Sequence, residues 1–276
     1  MRNSIVIFTK VPKAGKTKTR LTTDRGGILT AAEAMALYEG CLLDVINVCI
    51  ASNSGDVRIC YDCGGDPDYL QTLLEKVSDR GQITELFPDL GGSFDDCMQY
   101  AADYILKENG SPRLADSVMI VGGDIPTLQP GILRDAFTKL KKLAGSEAGR
   151  AVVKAISLAN PQLGAAVVEG ACQEGGFSIV GYTCTTPFDF TGVFYNQQGI
   201  TALDMLVHKT AEKKIPLAVV EAVPDVDIPV DLASMIPVVK ALRLAAHHDD
   251  SILVPVHTLS VLEGIGLEST APPPQR

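Results

Sequence analysis

Short apolar runs and longer segments of helical period alternate along most of this chain. Ser4 to Phe8 is a β-branched run of the kind that forms a buried strand. A loop rich in Pro, Gly and Lys carries the chain to Gly27. Ala31 to Cys49 then reads as a helix, with Thr30 and Glu33 at capping-box spacing. Val57 to Tyr61 predicts a strand, Pro67 to Val77 a helix, and Ile83 to Phe87 a weaker strand. From Ser93 to Lys107, Phe94, Cys97, Met98, Ala101, Ala102 and Ile105 fall on one helical face. Ser117 to Val121 is a strongly apolar strand leading into Gly122, Gly123 and Asp124, and Pro130 opens a helix to about Leu143. This alternation predicts an α/β domain on a mostly parallel mixed sheet with helices on both faces.

The second half is less regular. Ser146 to Leu158 fits either a helix or a strand. Ala165 to Val168, Ser178 to Tyr182 and Leu217 to Val223 read as strands, with a helix from Thr201 to Lys213 before the last of them. Asp231 to Ala246 is the last long helix predicted. The expected organisation is one domain over 1–248 and a C-terminal extension over 249–276, whose tail from Ser269, with three consecutive prolines, is expected to be disordered.

Composition narrows the function classes. The chain has 276 residues, 46% of them apolar, enough for one sizeable core. A net charge of −9 argues against general nucleic-acid binding, because phosphate backbones repel such a surface. Yet Lys10, Lys13, Lys16, Lys18, Arg20 and Arg25 crowd one early segment, which suits a small anionic ligand. No run approaches the roughly 20 consecutive apolar residues of a membrane helix, so no membrane span is expected. Seven scattered cysteines form no disulfide framework, and Cys60 and Cys63 lack the second pair of a metal site; reduced thiols in the cytoplasm are expected.

Four segments carry candidate chemistry. Lys10 to Arg20 follows the first strand, where open α/β sheets place their ligand crevice, and offers Lys10, Gly15, Lys18 and Arg20 to phosphates. A solvated basic turn is the alternative. Gly15, Lys16 and Thr17 match the end of the phosphate-loop motif, but the position of its first glycine is Lys10, and residues 24–27 delay the next helix. Asp124, at the end of an apolar strand, is a candidate ligand for Mg²⁺ or Mn²⁺ or else a turn cap. Glu174, with Gly175 and Gly176, is an acceptor-side base with a substrate-approach turn, or a plain hairpin. Asp227 could complete the metal site, while Asp231 is better placed to cap the last helix.

Taken in order, these segments resemble a bacterial glycosyltransferase-A-like family of sugar transferases related to the guanylyltransferases that activate 2-phospholactate. Pro12, Gly15, Lys18, Thr19, Arg20 and Leu21 match its opening P-x-x-G-x-x-K-T-R-L. Gly122, Asp124, Pro126 and Leu128 match its G-S-D-x-P-x-L, with Gly123 in place of serine. Glu174 to Gly181 is similar to its D-G-G-Y-x-L-I-G, with glutamate for aspartate, and Asp225 to Leu232 to its D-x-D-T-P-x-D-L. A Glu-Arg pair usual before the third helix is absent, Asp95 and Asp96 standing there, and residues 145–162 look inserted.

The resemblance implies a nucleotide-diphospho-sugar transferase (GT-A) fold, Asp124 as metal ligand, and Lys18 and Arg20 facing nucleotide phosphates. The leading expectation is a metal-dependent glycosyltransferase moving a sugar from a nucleoside-diphosphate sugar to a small-molecule acceptor. The alternatives are a nucleotidyltransferase that activates a small phosphorylated metabolite with a nucleoside triphosphate, and a non-catalytic nucleotide-binding derivative. Monomer and homodimer are both left open.

Overall fold

The computed structural model describes residues 1–107, 112–153 and 162–269. Among them are the strands β1 (Asn3–Thr9), β2 (Asp56–Tyr61), β3 (Ile83–Pro88), β4 (Ser117–Gly122), β5 (Val167–Ala171), β6 (Phe177–Thr183) and β7 (Leu217–Val219). They form one sheet in the order β3-β2-β1-β4-β6-β5-β7. β1 pairs in parallel with β2 and β4, β2 with β3, and β5 with β7; β6 alone runs antiparallel, against β4 and β5. The helices are α1 (Ala31–Ser52), α2 (Pro67–Leu73), α3 (Phe94–Leu106), α4 (Pro130–Ala144), α5 (Glu147–Ala151), α6 (Ala202–Glu212), α7 (Pro229–Ala245) and α8 (Val256–Ile265).

Period-two alternation in the strands sorts side chains onto two faces. Ile5, Ile7, Ile59, Met119 and Val121 pack with α1, α2 and α4. Val6, Cys60, Val118 and Ile120 pack with α3 and α6 on the other side. The mostly parallel mixed sheet with helices on both faces is therefore as its pattern predicts. The Thr30–Glu33 capping box forms, with Glu33 N donating to Thr30 Oγ1 at 3.2 Å and Thr30 N to Glu33 Oε2 at 2.7 Å.

Most differences lie in the second half, with one at the end of α2. The helix expected to Val77 ends at Leu73 and tightens into a 3-10 turn over Leu74–Lys76. The strand expected to Val223 stops at Val219, where its pairing with β5 ends. Beyond that point only single bonds, such as Val223 N to Ala171 O at 3.0 Å, hold the two segments together. Ser146 begins a short helix, and 154–158 of that ambiguous segment lie outside the described residues, as does the tail from 270.

Helix α8 was not predicted, and it falls inside the expected C-terminal extension. Leu259 and Leu262 are buried with Leu37 and Cys41 of α1 and with Leu232 and Met235 of α7. The amide ends of α8 are held by α1: Asp44 accepts from His257 N at 3.1 Å and from Thr258 N at 2.7 Å. A carboxylate on the free amides of a helix start is favourable both as a hydrogen-bond acceptor and against the helix dipole. Gly40 permits the approach, since a Cβ there would lie 3.1 Å from the His257 carbonyl. By length and composition alone helix α1 is apolar enough to cross a membrane, although Glu33, Glu39 and Asp44 interrupt its apolar residues. Most of it is buried inside this fold.

Asp44→Ala should destabilise the protein by about 1–3 kcal/mol, because one buried and one half-buried amide lose their acceptor. Asp44→Asn keeps one acceptor oxygen and should cost less. Urea unfolding of the three proteins checks the order.

Candidate functional site

Parallel neighbours in register end at the same level, so Phe8 of β1 stands beside Gly122 of β4. Just past that edge lies a cavity of about 810 Å³, lined by Lys10, Lys16, Lys18 and Arg20 and by Asp124, Asp225 and Asp227. Chemistry read separately along the chain thus meets in one place.

The basic loop is a built turn. The amides of Lys16 and Thr17 donate to the Lys13 carbonyl at 3.0 Å each, and Lys13 N donates to Thr17 Oγ1 at 2.9 Å. Lys18 follows in the left-handed region, φ 50°. Its side chain is only 9% exposed, and Nζ lies 2.5 Å from Asp124 Oδ2 and 3.4 Å from Asp227 Oδ1. Arg20 pairs with the other oxygen of Asp227. The backbone brings the two acidic segments together, Val226 N donating to Asp124 O at 3.1 Å. Asp231 accepts from the amides of Asp227 and Ile228 at 2.8 and 2.7 Å, the capping role expected of it. Gln173 Oε1 accepts from Asp225 N at 3.1 Å, which ties the β5–β6 turn to the same segment.

Charge follows this geometry. Burial alone would push the Lys18 ammonium down, but Asp124 and then Asp227 hold it above the ordinary lysine value. Burial, and then repulsion from Asp124, push Asp225 up to about 6. Burial and Asp124 likewise push the Tyr38 phenol up to about 12. Tyr38 meets Thr9 Oγ1 at 2.6 Å and accepts from Lys10 N at 3.1 Å, with Lys18 Nζ 5.6 Å from its ring centroid. It therefore joins α1 to the root of the basic loop.

The donor chemistry fits a hard divalent ion. Asp124, Asp225 and Asp227 supply carboxylate oxygens at one end of the cavity, and a lysine ammonium already stands between two of them as a cation. Among the described residues, however, no three His, Cys, Asp or Glu side chains are grouped to hold an ion unaided. Such an ion needs phosphate or water oxygens besides Asp124 and Asp227, as is usual for Mg²⁺.

Other expected site residues fall elsewhere. Gly15 turns the loop, with φ 72°, and does not line the cavity. Gly176 lines it, but Glu174 and Gly175 do not. Glu174 is exposed, because the turn entering β6 places it in the left-handed region, φ 56°. Gly175 is demanded by packing: its φ is 72°, and a Cβ would meet Thr201 at 2.5 Å. Gly123, where the resembled pattern has serine, lies against Thr9, whose Oγ1 would be 2.9 Å from a Cβ. The aspartates in place of the Glu-Arg pair are structural. Asp96 completes a capping box with Ser93, and Asp95 accepts from Gly192 N and Phe194 N at 2.9 Å each.

Sequence reasoning missed Tyr38 and gave Asp225 no role. A lone aromatic in an aliphatic helix was the only signal for Tyr38, and Asp225 lay in a quoted motif beside a more obvious ligand.

This cleft sits on a nucleotide-diphospho-sugar transferase fold. The chain aligns over 96% of its length with 97% of a crystal structure from Desulfovibrio desulfuricans G20 provisionally assigned as a nucleotide-diphospho-sugar transferase, at 19% identity and a TM-score of 0.67. It aligns over 96% of its length with 95% of a cytidylyltransferase from Leptospira borgpetersenii serovar Hardjo-bovis (strain JB197), at 13% identity and a TM-score of 0.47. No curated protein matches the chain. The chain belongs to the family described as "Uncharacterized protein conserved in bacteria (DUF2064)", whose model matches residues 45–197. The matched span includes Asp124 but not the basic loop.

Lys18→Met leaves the three carboxylates without their internal cation and should cost on the order of 1–3 kcal/mol, less than a fully buried pair because Asp124 and Asp227 remain partly exposed. Millimolar Mg²⁺ should raise the melting temperature of this variant more than that of the parent. The sign for Asp225 is opposite to that of a salt-bridged carboxylate: its folded value is raised, so the folded state holds the extra proton. In chelator-treated protein, stability should fall as pH rises from about 4 to about 6, and Asp225→Asn should flatten that slope in urea melts.

Proposed function

We propose that this protein is a metal-dependent transferase that binds a nucleotide diphosphate group at the carboxyl edge of β1 and β4, and that it moves a sugar from a nucleoside-diphosphate sugar to a small acceptor. The observation that carries the reading is Lys18 reaching both Asp124 and Asp227 inside one large cavity. Cations on a tied loop and carboxylates on a rigid strand end are what a diphosphate and its counter-ion require.

In this reading Lys10, Lys16, Lys18 and Arg20 bind and orient the phosphates. Asp124 and Asp227 would hold Mg²⁺ or Mn²⁺, which offsets charge growing on the departing diphosphate. The loop cations strengthen their hold as that charge grows, and this difference between ground and transition state lowers the barrier. Glu174, expected on the acceptor side, stands outside the cavity lining, whereas Asp225 lines it and has no salt bridge among the described residues. Asp225 is the better-placed acceptor for the incoming hydroxyl's proton.

The basic loop also favours a second reading, nucleotidyl transfer from a nucleoside triphosphate, since a departing pyrophosphate needs several cations. Turnover separates the two. With Mg²⁺ or Mn²⁺, nucleoside-diphosphate sugars should release nucleoside diphosphate, and Asp124→Ala should lower the rate by about 100-fold or more. Pyrophosphate release from a triphosphate would replace the glycosyl reading with the nucleotidyl one. Binding with no turnover in the parent would leave only a nucleotide-binding protein.

A further inference from the structure

The same cavity runs from its charged end to a wall of aromatic rings. Phe8, Phe94, Phe177, Phe194 and Tyr195 all line it, so four of the chain's eight phenylalanines stand at one place. The rings brace one another mostly edge to face: Phe8 and Phe94 have centroids 5.5 Å apart at 81°, and Phe94 and Phe194 4.5 Å apart at 84°. Phe177 and Phe194 are 5.2 Å apart at 45°. Asp95 fixes the loop that carries Phe194 and Tyr195 to the start of α3 through its bonds to Gly192 N and Phe194 N. These rings are held, yet not all are hidden. Phe94 is 40% exposed and Tyr195 74%, with Leu90 at 70% beside them in sequence at Asp89 and Gly91 of the cavity wall.

Leaving fixed aromatic surface in water is unfavourable, and a concave apolar surface continuous with a polar site is the usual form of a ligand subsite. We propose that this wall is the acceptor subsite, and that the acceptor is an aromatic alcohol, a flat apolar ring carrying a nucleophilic hydroxyl. The proposal rests on the reading of the charged end as a nucleotide-diphosphate site. A polyol acceptor needs several polar partners, and those beside the rings are already engaged: Ser178 donates to Val223 O at 2.7 Å, and Asp89 Oδ1 accepts from Cys63 N at 3.0 Å and from Gly91 N at 2.9 Å. An aromatic ring instead gains an edge-to-face or offset contact with Phe94 and Tyr195. In the transfer, the acceptor oxygen bonds to the sugar carbon, and the bond from that carbon to the diphosphate oxygen breaks. Its electron pair stays on the diphosphate, and the hydroxyl proton goes to the cavity carboxylate named above.

Saturation-transfer NMR on the full chain tests this with 2-phenylethanol as the probe, and 2-cyclohexylethanol and glycerol as comparisons. Saturation should reach the phenyl protons and persist when a nucleoside diphosphate and Mg²⁺ are added. Phe94→Ala and Tyr195→Ala should each weaken phenylethanol binding by about 3- to 10-fold. Tyr195, being mostly exposed, serves should Phe94→Ala not fold. Equal binding of either comparison alcohol, or undiminished binding in the variants, overturns the proposal. Displacement of phenylethanol by the nucleotide also overturns it, since the rings would then belong to the base. The nucleotide site is read separately, by melting shift. A nucleotide shift without phenylethanol binding defeats the aromatic acceptor alone, whereas no shift with any nucleoside diphosphate removes the transferase reading and the acceptor role with it.

Discussion

A lysine ammonium held among carboxylates from distant segments sets the geometry of the sheet's carboxyl edge. Asp124 leaves the end of β4, while Asp225 and Asp227 arrive about a hundred residues later, after β7. Three carboxylates at one cavity end repel one another, and burial together with that repulsion raises Asp225. Lys18 relieves it by touching two of them, and its left-handed backbone is accepted in a loop tied at Lys13 and Thr17. The desolvation cost of such a cluster is moderate because Asp124 and Asp227 keep contact with water.

The scaffold beneath this cluster leaves its groups little room to drift. Buried β1 and β4 lie side by side in the middle of the sheet, and Thr9 at the end of β1 bonds to Tyr38 of α1. Gly123 lets Asp124 follow β4 without a side chain striking Thr9. Helix α1 is in turn clamped by α8 through Asp44. A continuous chain of packed contacts therefore runs from the C-terminal helix to the charged end of the cavity, while the aromatic end depends on α3 and on the loop that Asp95 holds.

The alternation of β-branched runs and amphipathic segments made the first half of the fold legible, because β1, β2 and β4 are buried on both faces and α3 and α4 each carry a clear apolar stripe. The charged end of the site was legible for a related reason: Lys18, Arg20, Asp124 and Asp227 follow strand ends, and strand ends of a parallel sheet share one edge. What escaped had no local signature. Helix α8 is short, and its amides are capped by a residue more than 200 positions away in sequence. Glu174 looked like a site residue because its neighbours are glycines, but those glycines answer in part to Thr201 and to a left-handed turn. Phe94 was read as part of an apolar helix stripe, and periodicity cannot tell a ring that faces a core from one that faces a cavity.

The arrangement of charges also bears on why a metal ion and a nucleotide would enter this site together. Lys18 and Arg20 are paired with Asp124 and Asp227, so in the proposed reading two of the four loop cations meet a phosphate already neutralised. A diphosphate arriving alone would have to draw those two away, leaving the aspartates crowded near Asp225 with no counter-charge. A divalent ion arriving alone must compete with an ammonium seated 2.5 Å from Asp124 Oδ2. In the proposed reading, with both present, phosphate oxygens would take those cations and the vacated carboxylates would hold the ion, so each ligand would remove the electrostatic obstacle to the other. Coupling of this kind is reciprocal by thermodynamic necessity. In that reading, control of both events falls on Lys18, whose partners would change from carboxylate to phosphate as the site fills.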